Sequence, residues 1–450
     1  MNTEKKQTEV NEELLYRKVA RRVVWLLFFL FVLSFLDRVN VGYAKLQFAQ
    51  DLNFSNAVYG MGAGAFFVGY FLFEIPSNLL LMKIGARATI SRIMILWGLL
   101  SCSMMFMKSE WTFYTLRFLL GAAEAGFFPG VILFLTYWFP SSRRAKATAM
   151  FYAAVPIAGI VGPPISGYIM SAMDGAAGLR GWQYMFLLEG LPSVLMGLLV
   201  LFFSLIDRPE TAKWLTPQER TLLLRNIEAD TKATVSQGGH SKLLKALASP
   251  KLWLFVAIYF CITVANSGYN FWLPQIVKDL GVTDTFHNGL IVSIPYMVAG
   301  IGMYFVSKSS DRLRERRLHF TFCCLGTAAC LSACALFKPG LTLSIALLSV
   351  GYIGVLAGIV VFWSMPSAYL LGTAAAGGIA LINSMGNLAS FMNNNVMGVI
   401  RDHFGSVSPG LLFIAANLIL SALLVFTTQK SLKVQAKAGG ASKTVASSRR

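Results

Sequence analysis

Apolar residues fill this chain in long runs of about 20 residues, separated by short polar turns. Twelve runs are read, at residues 23–46, 58–82, 89–107, 112–138, 147–170, 182–206, 252–276, 287–306, 319–337, 341–364, 371–400 and 407–427. None alternates apolar with polar at period two, so none reads as a barrel strand. A segment inside lipid must satisfy its backbone polar groups internally, and a run of this length does so as a helix. The expected fold is an all-α membrane protein, twelve transmembrane helices in two six-helix halves. The longest polar stretch separates the halves. The order is a tail at 1–22, a first half at 23–206, a connector at 207–250, a second half at 251–428 and a tail at 429–450.

Within the connector, Thr216, Pro217 and Glu219 make a capping box with proline at the first helical position, which predicts a helix over 217–230. The segment 236–241 reads as flexible. Residues 12–22 form a basic amphipathic lead-in expected on the inner membrane surface. Residues 1–11 and 435–450 are polar and expected to be disordered. The first apolar run is too long for a cleavable signal peptide, and no small-residue cleavage site follows it.

Composition agrees with lipid as the main solvent. Only 13% of residues are charged, against roughly 25% in soluble domains. The net charge of +18 is unevenly spread. With the N-terminus in the cytoplasm, inside segments hold 31 lysines and arginines and outside loops hold five: Lys108, Arg180, Lys278, Lys338 and Arg401. That asymmetry sets the orientation, both termini inside, and it is not the footprint of nucleic-acid binding. The six cysteines lie in expected helices, and the four histidines lack metal-ligand spacing, so neither a disulfide framework nor a metal is expected. No cofactor is expected. The close glycines of 60–64, 121–126 and 159–167 lie in apolar helices rather than after a strand, and read as packing faces. Pro163–Pro164 are expected to break or kink the fifth helix.

Three cations lie inside apolar runs: Arg38, Lys45 and Arg117. Ionisable groups at membrane depth cost several kcal/mol and mark pathways. Arg117 and Glu124 are seven residues apart, two helical turns on one face. Asp37 and Arg38 adjoin in the first helix, and Asp37 and Glu124 fall at similar depth. Ionised acids would balance the two arginines. Protonating one leaves room for a single carboxylate, and the loaded site becomes neutral. Arginine suits a carboxylate because its guanidinium grips bidentately. The reading is a proton-coupled site: Arg38 and Arg117 bind the anion, Glu124 is the substrate-linked proton site, and Asp37 is a second proton site paired to Arg38. Lys45 is expected to snorkel to headgroups. Glu74, near the inner end of the second helix, is expected to face the seam between the halves or the cytoplasm, and Glu189 reads as structural. Tyr70, Asn266, Tyr269, Asn270, Gln275, Trp363, Ser364, Asn383, Asn387 and Asn393 are the neutral groups that could line a solute path.

The chain resembles the major facilitator superfamily and, more narrowly, its anion:cation symporter family, which includes bacterial sugar-acid, tartrate and phthalate carriers. The resemblance runs over about residues 20–430. It is carried by Ser34-Phe-Leu-Asp-Arg-Val-Asn40, by Arg117–Gly130 ending Glu-Ala-Gly-Phe-Phe-Pro-Gly, by Trp182–Gly190, by Pro209–Leu215, by Ser310-Asp-Arg312 and by Asn383-Ser-Met-Gly-Asn387. It implies a secondary carrier, not an enzyme. The solute site would lie between the halves, with Tyr70, Trp363, Ser364 and Asn387 favoured as contacts and Asp311 and Arg312 as gating residues. The matching gating aspartate of the first half falls at Met82. The expected activity is import of a sugar acid or hydroxy-carboxylate with protons, by alternating access, as a monomer in a bacterial inner membrane. Aromatic carboxylates, antiport and a carrier-fold sensor are the alternatives.

Overall fold

The structure, a computed structural model, describes residues 11–204, 208–235, 249–369 and 373–427. The segment 236–241, expected to be flexible, and both tails expected to be disordered, apart from Asn11, lie outside the described residues. Regular structure within them is helical throughout. The chain divides into two compact units, residues 1–52 with 65–238, and residues 53–64 with 239–450.

In the first unit, α1 (Glu12–Val39) and α2 (Val41–Asp51) form one helical run, interrupted at Asn40. It is followed by α3 (Asn56–Ile84), which contributes to both units, and by α4 (Ala86–Ser103). Next come α5 (Glu110–Glu124), α6 (Phe127–Thr136), α7 (Ser141–Tyr152), α8 (Ala154–Ala172), α9 (Gly181–Leu199) and the connector helix α10 (Pro217–Val235). The second unit holds α11 (Pro250–Asp279), α12 (Thr285–Leu313), α13 (Arg317–Phe337), α14 (Leu341–Tyr369), α15 (Thr373–Phe404) and α16 (Ser408–Thr427). Among the described residues, 11 helical runs are long and apolar enough to cross a bilayer. The remaining expected span, α15, is a 32-residue helix. It falls short on apolarity because Asn383, Ser384, Asn387, Ser390 and Asn393–Asn395 sit in its length.

Two expectations about helix continuity change. The fourth apolar run, read as one helix over 112–138, is broken immediately after Glu124. Ala125 is extended and Gly126 is left-handed at φ 87°. Glycine adopts that conformation without a Cβ penalty. A Cβ there would also lie 2.5 Å from Ser77 Oγ. Pro129, in the first turn of α6, has no N–H to return to Ala125, so the ladder is not missed. Conversely, Pro163–Pro164 do not break their helix, since α8 runs through them and the interruption falls at Ala153.

Glycines let α3 and α5 touch backbone to backbone. A Cβ at Gly121 would sit 1.9 Å from the Phe66 carbonyl oxygen, and one at Gly69 would sit 2.1 Å from that of Phe118. This is the small-residue packing read from the sequence. Gly121→Ala is expected to force the helices apart and cost about 1–3 kcal/mol. A thermal unfolding series in detergent against Gly178→Ala, whose added Cβ would meet nothing within 4 Å but whose φ is positive, separates steric clash from backbone strain.

The start of α1 is not a separate surface segment. It continues the membrane helix and is clamped by α10. Lys18 Nζ donates to both Glu219 carboxylate oxygens, at 2.8 and 3.0 Å. The capping box forms as read: Glu219 accepts from the Thr216 amide at 2.8 Å, and Thr216 Oγ1 accepts from the Glu219 amide at 3.2 Å. Asp230 accepts from the Ser141 amide at 3.0 Å and from Arg144 at 3.1 Å. Burial pushes the Glu219 carboxyl up, but Lys18 and the Thr216 amide outweigh it and hold the group below its ordinary value. Each exposed pair contributes at most about 1 kcal/mol.

In the second unit, Trp272 Nε1 donates to Asn394 Oδ1 at 3.1 Å, and Asn394 Nδ2 donates to Ser267 Oγ at 3.1 Å. Asp402 accepts from the amides of Asn56 and Ala57, at 2.9 and 2.7 Å, and so closes the start of α3. A Cβ at Gly60 would meet the Asn394 carbonyl oxygen at 2.2 Å, so residues 53–64 lie directly on α15.

Candidate functional site: two buried carboxyls on opposite sides of the first helix

Successive residues on a helix diverge by about 100°, while residues four apart share a face. Ser34 and Arg38 therefore project together from α1, and Asp37 projects elsewhere. Ser34 Oγ donates to Glu124 Oε1 at 2.8 Å, and Arg38 Nη2 donates to the same oxygen. Glu124 ends α5, where the break at Ala125–Gly126 leaves it on the last turn. The carboxylate side of the pair is 3% exposed and the guanidinium side 22%. The pair is closed at the acid and open at the base.

Asp37 does not pair with Arg38, contrary to the sequence expectation. Its Oδ2 accepts from Trp97 Nε1 and from Ser193 Oγ, both at 2.7 Å, and its Oδ1 accepts from Ser101 Oγ at 3.0 Å. These donors come from α4 and α9. The helical angle is the reason, since neighbours in sequence do not face one another. The two acids do lie level along α1, because Glu124 bonds to residues 34 and 38, on either side of position 37.

Arg117 is fully buried on α5. Its guanidinium carbon lies 5.0 Å from the centroid of the Phe66 ring, and that of Arg38 lies 5.3 Å from the same ring. Tyr70, one turn further along α3, has its ring 5.6 Å from Arg38. Arg38, Arg117 and Tyr70 thus lie around Phe66, with Glu124 held on Arg38. Cation–π contacts of this kind contribute about 0.5–2 kcal/mol each. The close approach of α3 and α5 at Gly69 and Gly121 brings these rings to the arginines.

Other residues depart from the reading. Lys45 does not reach outward to headgroups but is buried, at 3% exposed. Glu74 is buried near Pro76 on α3. Glu189 accepts from Ser166 Oγ at 2.6 Å and from Asn40 Nδ2 at 3.0 Å.

In the second unit, Tyr269 stacks on Tyr352 with centroids 4.3 Å apart and donates its hydroxyl to the Leu348 carbonyl at 3.0 Å. Asn270 Oδ1 accepts from Tyr296 and Tyr352, at 2.9 and 3.1 Å. Gln275 Nε2 donates to Asp279 at 2.9 Å. Trp363 lies 4.9 Å from the Tyr259 ring, and Ser364 Oγ donates to the Val361 carbonyl of its own helix at 2.6 Å. Asn383 is partly exposed and Asn266 half-buried. Asn387 Nδ2 and both amide atoms of Asn393 are buried with no partner among the described residues. Asp311 pairs with Arg316 in an exposed turn, and Arg312 is exposed beside it.

The sequence reading missed the cage of Asp37, formed by Trp97, Ser101 and Ser193, and the ring of Phe66. Ser34 was legible, since it stands one turn before Arg38. Among the described residues no cluster of His, Cys, Asp and Glu could hold a metal ion.

A helical bundle with buried arginines and carboxyls on its first, second and fourth membrane segments defines a polytopic solute carrier. The family model described as Major Facilitator Superfamily matches residues 27–393, and the chain belongs to that family. It is 43% identical over 420 residues to a Pseudomonas putida protein named for metabolite transport, NicT, covering 93% of this chain and 95% of that one. It is 45% identical over 415 residues to an Agrobacterium vitis protein named for tartrate transport, covering 92% and 91%. Among solved structures, a bacterial homologue of the human lysosomal transporter Spinster superposes with a TM-score of 0.74 at 16% identity, covering 93% and 97%. The chain is a multi-pass membrane transporter and not an enzyme. Its relatives are consistent with an anion-symporter type of member.

Proposed function

We propose that this protein imports an organic anion, a sugar acid or hydroxy-carboxylate, together with protons, by alternating access. One observation carries the proposal. Glu124 occupies the guanidinium of Arg38, beside Arg117 and on the same aromatic ring. A substrate carboxylate arriving at Arg38 competes with Glu124 for the same donors. Displaced from its cation into a buried setting, Glu124 takes up a proton, because burial disfavours an unpaired carboxylate. Anion and proton then enter as a neutral pair. Ser34 and Tyr70 supply hydroxyls for substrate oxygens. Trp363, Ser364, Asn383, Asn387 and Tyr269 are kept as proposed solute contacts, Asp37 as a further proton site, and Asp311 and Arg312 as gating residues.

The tartrate-named relative supports the hydroxy-carboxylate class. The Tyr259–Trp363 ring pair favours a second reading, an aromatic carboxylate. The placement of Lys and Arg supports a bacterial inner membrane with both termini cytoplasmic. A single site is sufficient for a monomeric carrier.

The test is uptake of labelled tartrate, gluconate and phthalate by purified protein in proteoliposomes. An inside-alkaline pH gradient should drive accumulation of one of the first two, and collapsing it should stop accumulation. Accumulation indifferent to the gradient would remove proton coupling. Accumulation of phthalate alone would transfer the assignment to the aromatic class.

A further inference from the structure

Asp37 and Glu189 form a two-rung ladder between α1 and α9. Asp37 of α1 accepts from Ser193 of α9 at 2.7 Å, and Glu189 of α9 accepts from Asn40 of α1 at 3.0 Å. Asn40 follows Asp37 by three residues, and Ser193 follows Glu189 by four. Each helix thus offers a carboxyl at one level and a neutral donor at the next, about one helical turn away. Glu189 is buried, 5% exposed, and its hydrogen bonds come from the neutral Asn40 and Ser166.

We propose that Glu189 is a further proton-binding carboxyl of the carrier, beyond Glu124 and Asp37, exchanging its proton in concert with Asp37. This rests on the proton-coupled reading above. Asn40 makes both protonation states possible. Its Nδ2 donates to Glu189, while its Oδ1 is buried with no hydrogen-bond partner among the described residues. With Glu189 ionised, this orientation is the right one. When Glu189 Oε2 gains a proton, the amide turns over, and Oδ1 accepts that proton's hydrogen bond. Each state leaves one amide atom unmet, so hydrogen bonding does not choose between them. Charge chooses.

Several charged or titratable groups lie on the elements packed against Glu189. On α1 they are Asp37 and Arg38, the latter occupied by Glu124. On α2 they are Tyr43 and Lys45, and on α4 Cys102. Tyr168 and, just beyond α8, Asp174 lie on another side. At the start of α9, Arg180 is occupied by Asp51. Of these, Asp37 is the acid one rung away on the same pair of helices. Two like charges a turn apart do not both persist in a low-dielectric setting, so the carboxyls take protons in sequence rather than independently. The proton comes from and returns to water or the other rung, and nothing else is consumed. Asn40 lies two residues beyond Arg38 on the same helical run, so the second rung is borne by the helix that carries Arg38.

Infrared difference spectroscopy on the reconstituted protein tests this without substrate or transport. In the wild type, two protonated-carboxyl bands should change between about pH 5 and 9, the range open to buried carboxyls. Glu189→Gln should remove one and move the midpoint of the other by about one pH unit or more. Asp37→Asn should do the converse, and Asn40→Ala should shift the Glu189 band while leaving two transitions. A merely structural Glu189 would be locked in one state. In that case Glu189→Gln would remove no pH-dependent band and would leave the Asp37 midpoint in place, and the proposal would be overturned. If Glu189→Gln does not fold, the Asn40→Ala shift decides the matter alone, and an unmoved spectrum counts against. Proteoliposome uptake separates the two readings. Titrating bands without gradient-driven accumulation would sink the symport reading and spare the ladder.

Discussion

Glu124→Gln is expected to leave substrate exchange intact and abolish accumulation. Glutamine keeps the length of the side chain and an oxygen for Ser34, but it neither competes as an anion for Arg38 nor binds a proton. Bound solute can still cross in exchange for solute on the far side. In the wild type, one proton per carboxylate would give about tenfold accumulation for each unit of pH gradient, since one unit is worth about 1.36 kcal/mol. In the variant the ratio should fall to about one, while counterflow persists within a few-fold of normal. Loss of both activities would mean that Glu124 is needed to shape the site. Persistence of both would remove it from the coupling. Measuring uptake and counterflow on the same vesicles distinguishes the three outcomes.

The second large effect is at Arg38. Its guanidinium is the cation paired to Glu124 and the exposed partner of that pair. Removing one member of a buried ion pair typically costs about 3–5 kcal/mol, largely because the other charge is stranded. Arg38→Gln should therefore lower both stability and transport, with apparent substrate affinity falling roughly 100-fold or more. The double variant Arg38→Gln with Glu124→Gln is the informative one. It removes the stranded charge, so unfolding temperature should recover towards the wild-type value, whereas binding should not. Recovery of binding along with stability would show that Arg38 serves the fold and not the anion. Arg38→Lys should fall between, because an ammonium keeps the charge but loses the planar fork.

Much of this architecture is legible in the order of residues because lipid imposes a severe filter. Run length identifies the spans. The capping box at Thr216 and Glu219 is local chemistry and forms as read. Arg38, Arg117 and Glu124 stood out because ionisable groups at membrane depth are conspicuous, whereas Tyr70 was singled out by the family resemblance. What escaped was rotational and tertiary. Adjacency of Asp37 and Arg38 in sequence suggested a pair, yet the angle between consecutive helical positions sends them to different neighbours. The cage around Asp37 draws on Trp97, Ser101 and Ser193, residues with no local mark of that role. The break after Glu124 was encoded in Gly126 and Pro129, but the surrounding apolarity hid it. Pro163 and Pro164 were more prominent signals of a break, yet the helix runs through them.

The indole of Trp97 rests its N–H on the carboxylate of Asp37. Indole emission responds to a charge placed against the ring. The protein therefore carries an intrinsic fluorophore wired to a single carboxyl deep in the bundle. Subtracting the spectrum of a Trp97→Phe protein from that of the parent would isolate this colour change from the other tryptophans. The loading state of one buried acid could then be followed in real time, without labels, through each turn of the carrier.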